Sequence, residues 1–142
     1  MRKTKIILDT NVLYSGLYSS RGASYRVLRV IEKDKVKIVL STTLLFEYEE
    51  ILRKNQPILG LSNRDIDKLL DSLCMKSEHQ KIYFLWRPFL PDPKDDHVLE
   101  LAVASGVNTI VTFNIKDFRG SEKFGVRVIT PKILLEEIKW VL

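Results

Sequence analysis

Ile6-Ile7-Leu8, Val36-Lys37-Ile38-Val39-Leu40, Thr109-Ile110-Val111-Thr112 and Val126-Arg127-Val128-Ile129 are short runs rich in branched apolar side chains. Each gives way to polar residues, and helical spacing of apolar positions fills much of the chain between them. A strand buried on both faces reads as a near-continuous apolar run, and its parallel neighbour is reached through a crossover that is usually a helix. Alternating strands and helices therefore predict the α/β class, with helices on both faces of one parallel sheet. Helices are expected over 11–18, 23–33, 43–54, 63–75 and 93–105, the last ended by Gly106, and Pro131 opens a final one. The stretch 76–90 is less regular and is read as a strand around Gln80 to Tyr83 followed by a loop. No repeat, linker or low-complexity tract divides the sequence, so 1–142 reads as one domain.

Composition removes several classes. The N-terminal Met1-Arg2-Lys3-Thr4-Lys5-Ile6-Ile7-Leu8-Asp9 is too polar for a secretory h-region, and no apolar stretch approaches the roughly 18 residues of a membrane span. A single cysteine, Cys74, gives neither a disulfide framework nor a thiolate zinc site; a reducing cytoplasm is the expected setting. Cys74 lies among Leu70, Leu73 and Met75 and is expected to be a buried thiol. The net charge is +5, and its excess is confined to one part of the chain: residues 1–54 carry 11 basic and 6 acidic side chains, residues 55–142 carry 12 of each. A basic surface attracts polyanions such as nucleic acid, although a solvated lysine-rich surface gives the same balance.

In open parallel sheets, ligands bind beyond the carboxyl ends of the strands. The residues to weigh are therefore Asp9-Thr10-Asn11, Ser41-Thr42-Thr43 and Phe113-Asn114-Ile115-Lys116-Asp117. No glycine-rich phosphate loop follows the first strand, which removes support for a nucleotide cofactor. Asp9 reads either as the cap of the next helix or as a carboxylate fixed at the ligand edge. Asn11 shares that ambiguity as a second cap or a partner for Asp9, and Asp117 has the same two readings as Asp9.

The segment Pro91-Asp92-Pro93-Lys94-Asp95-Asp96-His97-Val98-Leu99-Glu100-Leu101-Ala102 is richer. Asp92 before Pro93 is suited to cap a helix, and acids in a first turn favour the helix dipole. At about 100° per residue, Asp95 shares a side with Leu99 and Ala102, Asp96 lies at its margin, and His97 and Glu100 point away. A carboxylate on a buried face is costly unless paired, hydrogen-bonded or bound to a metal. Asp95 is thus the stronger candidate of the two. Glu47 borders the apolar stripe of helix 43–54 without being singled out by spacing, and Phe46 on the polar side is an exposed aromatic suited to a protein contact. His79 and His97 do not stand in a metal-ligand spacing.

Taken together, Ile7-Leu8-Asp9-Thr10-Asn11, Ser41-Thr42-Thr43-Leu44-Leu45-Phe46-Glu47-Tyr48, Asp92-Pro93-Lys94-Asp95-Asp96-His97 and Ile110-Val111-Thr112-Phe113-Asn114 resemble a PIN domain. Asp117-Phe118-Arg119-Gly120 and Val128-Ile129-Thr130-Pro131 extend the likeness over essentially the whole chain. The branch it looks like is that of the VapC-like toxins of prokaryotic toxin–antitoxin systems. The resemblance implies a three-layer α/β/α sandwich and a Mg²⁺- or Mn²⁺-dependent endoribonuclease, a hydrolase of RNA phosphodiester bonds. It further implies a homodimer and a small antitoxin protein that blocks the site.

Carried over by position, Asp9 is the first acid, Glu47 the second, and the third falls in the Asp92–Asp96 cluster, with Asp95 favoured over Asp96. These three are the expected catalytic acids and metal ligands; Asn11, Asp92, Asp96, Asn114 and Asp117 are expected in support. Many relatives carry an acid where Asn114 stands, so one metal or two is left open, and Asp117 is placed to restore the charge. Lys3, Arg21, Arg26 and Arg29 are the candidate RNA-binding cations. The alternative reading is a PIN-fold module, weakened in catalysis, that binds nucleic acid or protein.

Overall fold

The computed structural model describes residues 4–82 and 90–138. Its strands are β1 (Thr4–Leu8), β2 (Val36–Leu40), β3 (Ser77–His79), β4 (Thr109–Val111) and β5 (Arg127–Ile129). They form one sheet in the order β3-β2-β1-β4-β5, and every neighbouring pair is parallel. Among the described residues seven α-helices cover this sheet in a three-layer α/β/α arrangement: α1 (Thr10–Tyr18), α2 (Ala23–Glu32), α3 (Thr42–Lys54), α4 (Gln56–Leu59), α5 (Asn63–Lys76), α6 (Asp96–Ser105) and α7 (Pro131–Glu137). No helix among them is long and apolar enough to cross a membrane.

β1 is the central strand, and Ile6, Ile7 and Leu8 are fully buried because the sheet is covered on both faces. Each such side chain stabilises the fold by about 1.5–3 kcal/mol relative to exposure. Ile7 pairs with Ile110 and Ile6 with Ile38, so the chain order reverses at β1. That reversal opens a crevice at the carboxyl ends of β1 and β4. Two packing details hold the helices around the sheet. A Cβ on Gly16 would stand 2.6 Å from Leu28, so glycine lets α1 lie close against α2. The hydroxyl of fully buried Tyr48 on α3 donates to the Leu8 carbonyl, tying that helix to the end of β1.

Four expectations need correction. The third strand is Ser77–His79, earlier than Gln80, although the Gln80 amide still donates to the Leu40 carbonyl; Tyr83 lies outside the described residues. The short α4, started by Gln56-Pro57 and closed by left-handed Gly60, is an additional helix. Cys74 is exposed, because α5 buries only the side of Ile66 and Leu73 while neighbouring Met75 is 86% exposed. The helix after Asp92 begins with a 3-10 turn, Pro93–Asp95, before α6 proper. That turn breaks the constant angular step, and α6 is buried on more than one side. Glu100 is therefore buried rather than turned outward, and Val103 is 41% exposed.

Candidate functional site

Asp9 follows β1 directly and has extended backbone, which lets its side chain turn back over the start of α1. Its Oδ1 accepts from the Thr10 amide at 2.9 Å. Its Oδ2 accepts from the Thr112 hydroxyl at 2.7 Å and from Asn11 Nδ2 at 3.4 Å. The Thr112 hydroxyl, past the end of β4, also accepts from the Asn114 amide and from Asn11 Nδ2. Asp9 is thus both helix cap and crevice carboxylate; the two readings of its sequence context describe one side chain. Burial pushes its pKa up, the Thr112 and Thr10 hydrogen bonds work against that rise, and the Glu47 charge adds to it.

Glu47 reaches the same place from α3. Its Oε2 accepts from the Thr10 hydroxyl, and its Oε1 accepts from His97 Nε2 at 3.0 Å. Burial alone would raise this carboxyl, but the His97 and Thr10 hydrogen bonds outweigh it and hold the pKa below its ordinary value. His97 therefore faces the crevice, contrary to the expectation that it points away. Because a carboxylate only accepts, Nε2 carries the proton in this bond, while among the described residues buried Nδ1 finds no hydrogen-bond partner.

Asp95 ends the 3-10 turn and makes no capping hydrogen bond with its side chain. Burial, followed by the charges of Asp9, Asp92, Asp117 and Glu47, raises its pKa to about 7. Asp96 behaves differently: it is 6% exposed and its Oδ1 accepts from the Leu90 amide at 2.8 Å, so it anchors the chain entering the turn. Asp92 is exposed and caps the turn through the Lys94 amide. Asp117 stands in a second 3-10 turn, Ile115–Phe118, close enough to act on Asp95.

A cleft of about 1000 Å³ is lined by Asp9, Asn11, Glu47, Asp95, His97 and Asn114, together with Thr10, Tyr14, Thr43, Phe46, Glu50, Ile51, Asn55 and Lys94. The structure brings Asp9, Glu47 and Asp95 to this one surface from three distant stretches. The proposed cations are placed otherwise. Arg29 lines a separate hollow of about 300 Å³ among α1, α2 and α5, Arg21 and Arg26 line neither, and Lys3 lies outside the described residues. Among the described residues Lys94 is the cation that lines the cleft. Sequence reasoning passed over Thr10, Thr112, Tyr14, Lys94 and the inward His97. For Thr10 and Thr112 the available signal was a position beside a strand end, and for Lys94 and His97 the acidic segment; Tyr14, inside α1, carried none.

The donor set can be tested against a divalent cation. Its oxygens are hard donors, and among the described residues no Lys or Arg forms an ion pair with Asp9, Glu47 or Asp95. The burial and repulsion that together lift Asp95 are thus left for a cation to offset. Against this, no three His, Cys, Asp or Glu among the described residues are close enough together to hold an ion directly. Mg²⁺ keeps several waters and commonly takes only one or two carboxylates directly, whereas a structural zinc site needs a closed set of four. The residues fit a hydrated, hard cation in the kind of donor they offer, and their spacing does not fit a closed chelate.

A PIN domain family model matches residues 5–116, which covers most of the chain. The chain belongs to the PIN domain family, whose members are nucleases in general and typically use divalent metals. A comparison with curated proteins gave no match.

Proposed function

We propose that this PIN domain is an endoribonuclease that hydrolyses RNA phosphodiester bonds with Mg²⁺ or Mn²⁺, and that it is the toxin of a toxin–antitoxin pair. The observation that carries the catalytic part is the convergence of Asp9, Glu47 and Asp95 on one cleft at the sheet's topological switch point. When bound there, a divalent cation supplies Lewis-acid polarisation of the scissile phosphate and stabilises the charge that develops during attack by water. Asp9, from the end of β1, and Glu47, from α3, would hold the cation together with Asp95 of the 3-10 turn, which lines the same cleft. Thr10 bridges the first two carboxylates, and His97 fixes Glu47 from α6. The expected products carry a 3′-hydroxyl and a 5′-phosphate. The toxin role adds cytoplasmic action, a homodimer and an antitoxin protein that covers the cleft.

The purified chain should cleave RNA with Mg²⁺ or Mn²⁺, stop on addition of EDTA, and lose activity in Asp9→Asn. Cleavage that ignores EDTA, or no cleavage with either ion, overturns the proposal. The second outcome would favour a non-catalytic binding module, a reading supported by Asn114 at the fourth acidic position and by the open spacing of the acids. The toxin role has its own test. Induced expression should arrest growth and release RNA with new 5′ ends at a recurrent site, and unimpeded growth with intact RNA contradicts it.

A further inference from the structure

Phe46 is 61% exposed, yet it lines the same cleft as its chain neighbour Glu47. Tyr14 lines that cleft from α1, and its ring stacks on Tyr18 with centroids 6.0 Å apart and planes 12° from parallel. The lining carries Asp9, Glu47, Glu50 and Asp95 against Lys94 as its cation. Proteins that hold nucleic acid through phosphates line the groove with Lys and Arg. Among the described residues this cleft does the reverse, which favours a bound cation and uncharged contacts as sources of affinity for a polyanion. Stacking of bases on aromatic rings is such a contact, is tolerant of sequence, and requires bases whose faces are not covered by pairing.

We infer that Phe46 is a base-stacking residue: its ring takes the face of an unpaired base while the neighbouring phosphate passes Asp9, Glu47 and Asp95, with Tyr14 as a second aromatic lining the same cleft. The inference rests on the nuclease reading above and adds a named residue that selects single strands. A paired base presents no free face to Phe46, so duplex RNA gains nothing from it. Stacking also makes binding less sensitive to salt than in a groove that works by counterion release.

The test compares wild type, Phe46→Leu and Phe46→Trp in the full chain with Mn²⁺, on one short RNA given single-stranded or as duplex. Phe46→Leu keeps an apolar side chain and removes the ring, so KM for the single strand should rise about tenfold, with a smaller change in kcat. Phe46→Trp should restore the wild-type KM, and the duplex should be a poor substrate for all three. A wild-type KM in Phe46→Leu, or a Trp variant no better than the Leu variant, overturns the inference and leaves Phe46 as a protein contact. Binding is read separately from the fluorescence of a 2-aminopurine-labelled strand. Quenching by wild type that is lost in Phe46→Leu supports stacking even if no cleavage occurs, and then the nuclease reading alone fails. Absence of quenching with wild type overturns the stacking itself.

Discussion

Asp9 and Asp95 face one cleft from two kinds of support. Asp9 stands at the junction of the central strand and α1, where Thr10, Asn11 and Thr112 all donate to its carboxylate. Asp95 ends a single 3-10 turn, makes no capping bond, and is held in a partly buried position beside four other carboxylates. One acid is positioned by rigid backbone and neutral donors; the other is positioned by chain connectivity and remains electrostatically strained. A cation bound as proposed would change the energy of the second far more than that of the first, so the site would be built before its ion arrives and still respond to it.

The largest effect should come from the rigid partner. Asp9→Asn replaces an acceptor oxygen by a donor facing Thr10 or Thr112, and RNA cleavage should fall on the order of a hundredfold or more in a divalent-metal assay. The same substitution should not raise the melting temperature at any pH, because hydrogen bonds are lost along with the charge. A rise would show that the donors around Asp9 contribute little.

Asp95→Asn should behave in the opposite way in stability. Its folded-state pKa of about 7 lies above the ordinary 3.8, so on raising the pH the unfolded chain releases this proton first. The stability associated with the protonated group is complete below about pH 4 and is lost as pH rises through about 7. Asp95→Asn should therefore match wild type at low pH and exceed it at pH 8 by about 1–2 kcal/mol, a figure discounted for solvent screening of a half-buried group. Denaturant melts at the two pH values check this, and a constant difference would remove the strain from the account.

Tyr48→Phe probes the support beneath Asp9. Loss of the hydroxyl bond to the Leu8 carbonyl should cost about 1 kcal/mol in chemical unfolding, with the α3 wall and Glu47 less firmly held. The smallest effect is expected at Arg29→Gln. Arg29 lines the other hollow, and KM for RNA should change by less than about twofold, as for a surface charge away from the binding path.

The same contrast explains what the sequence made visible. β1, β2 and β4 were legible because central parallel strands concentrate branched apolar residues, and Asp9 stood out where such a run ended. Ser77–His79 was misplaced because an edge strand with polar, partly exposed residues carries no such run. Asp95 was favoured over Asp96 by a helical phase that does not hold across a 3-10 turn. The structure separates the two by their surroundings: the Leu90 amide claims Asp96, and Asp95 is left to the cleft. His97 was read as outward for the same reason. Its role beside Glu47 arises between α6 and α3, in a contact spanning 50 positions that no local spacing encodes.

Calorimetric titration of Mn²⁺ into the wild-type chain, Asp9→Asn and Asp95→Asn at pH 7.5 tests the shared cation site most directly. The account predicts saturable binding to wild type that weakens by more than about tenfold in both variants. Equal binding by all three, or none by wild type, would contradict it.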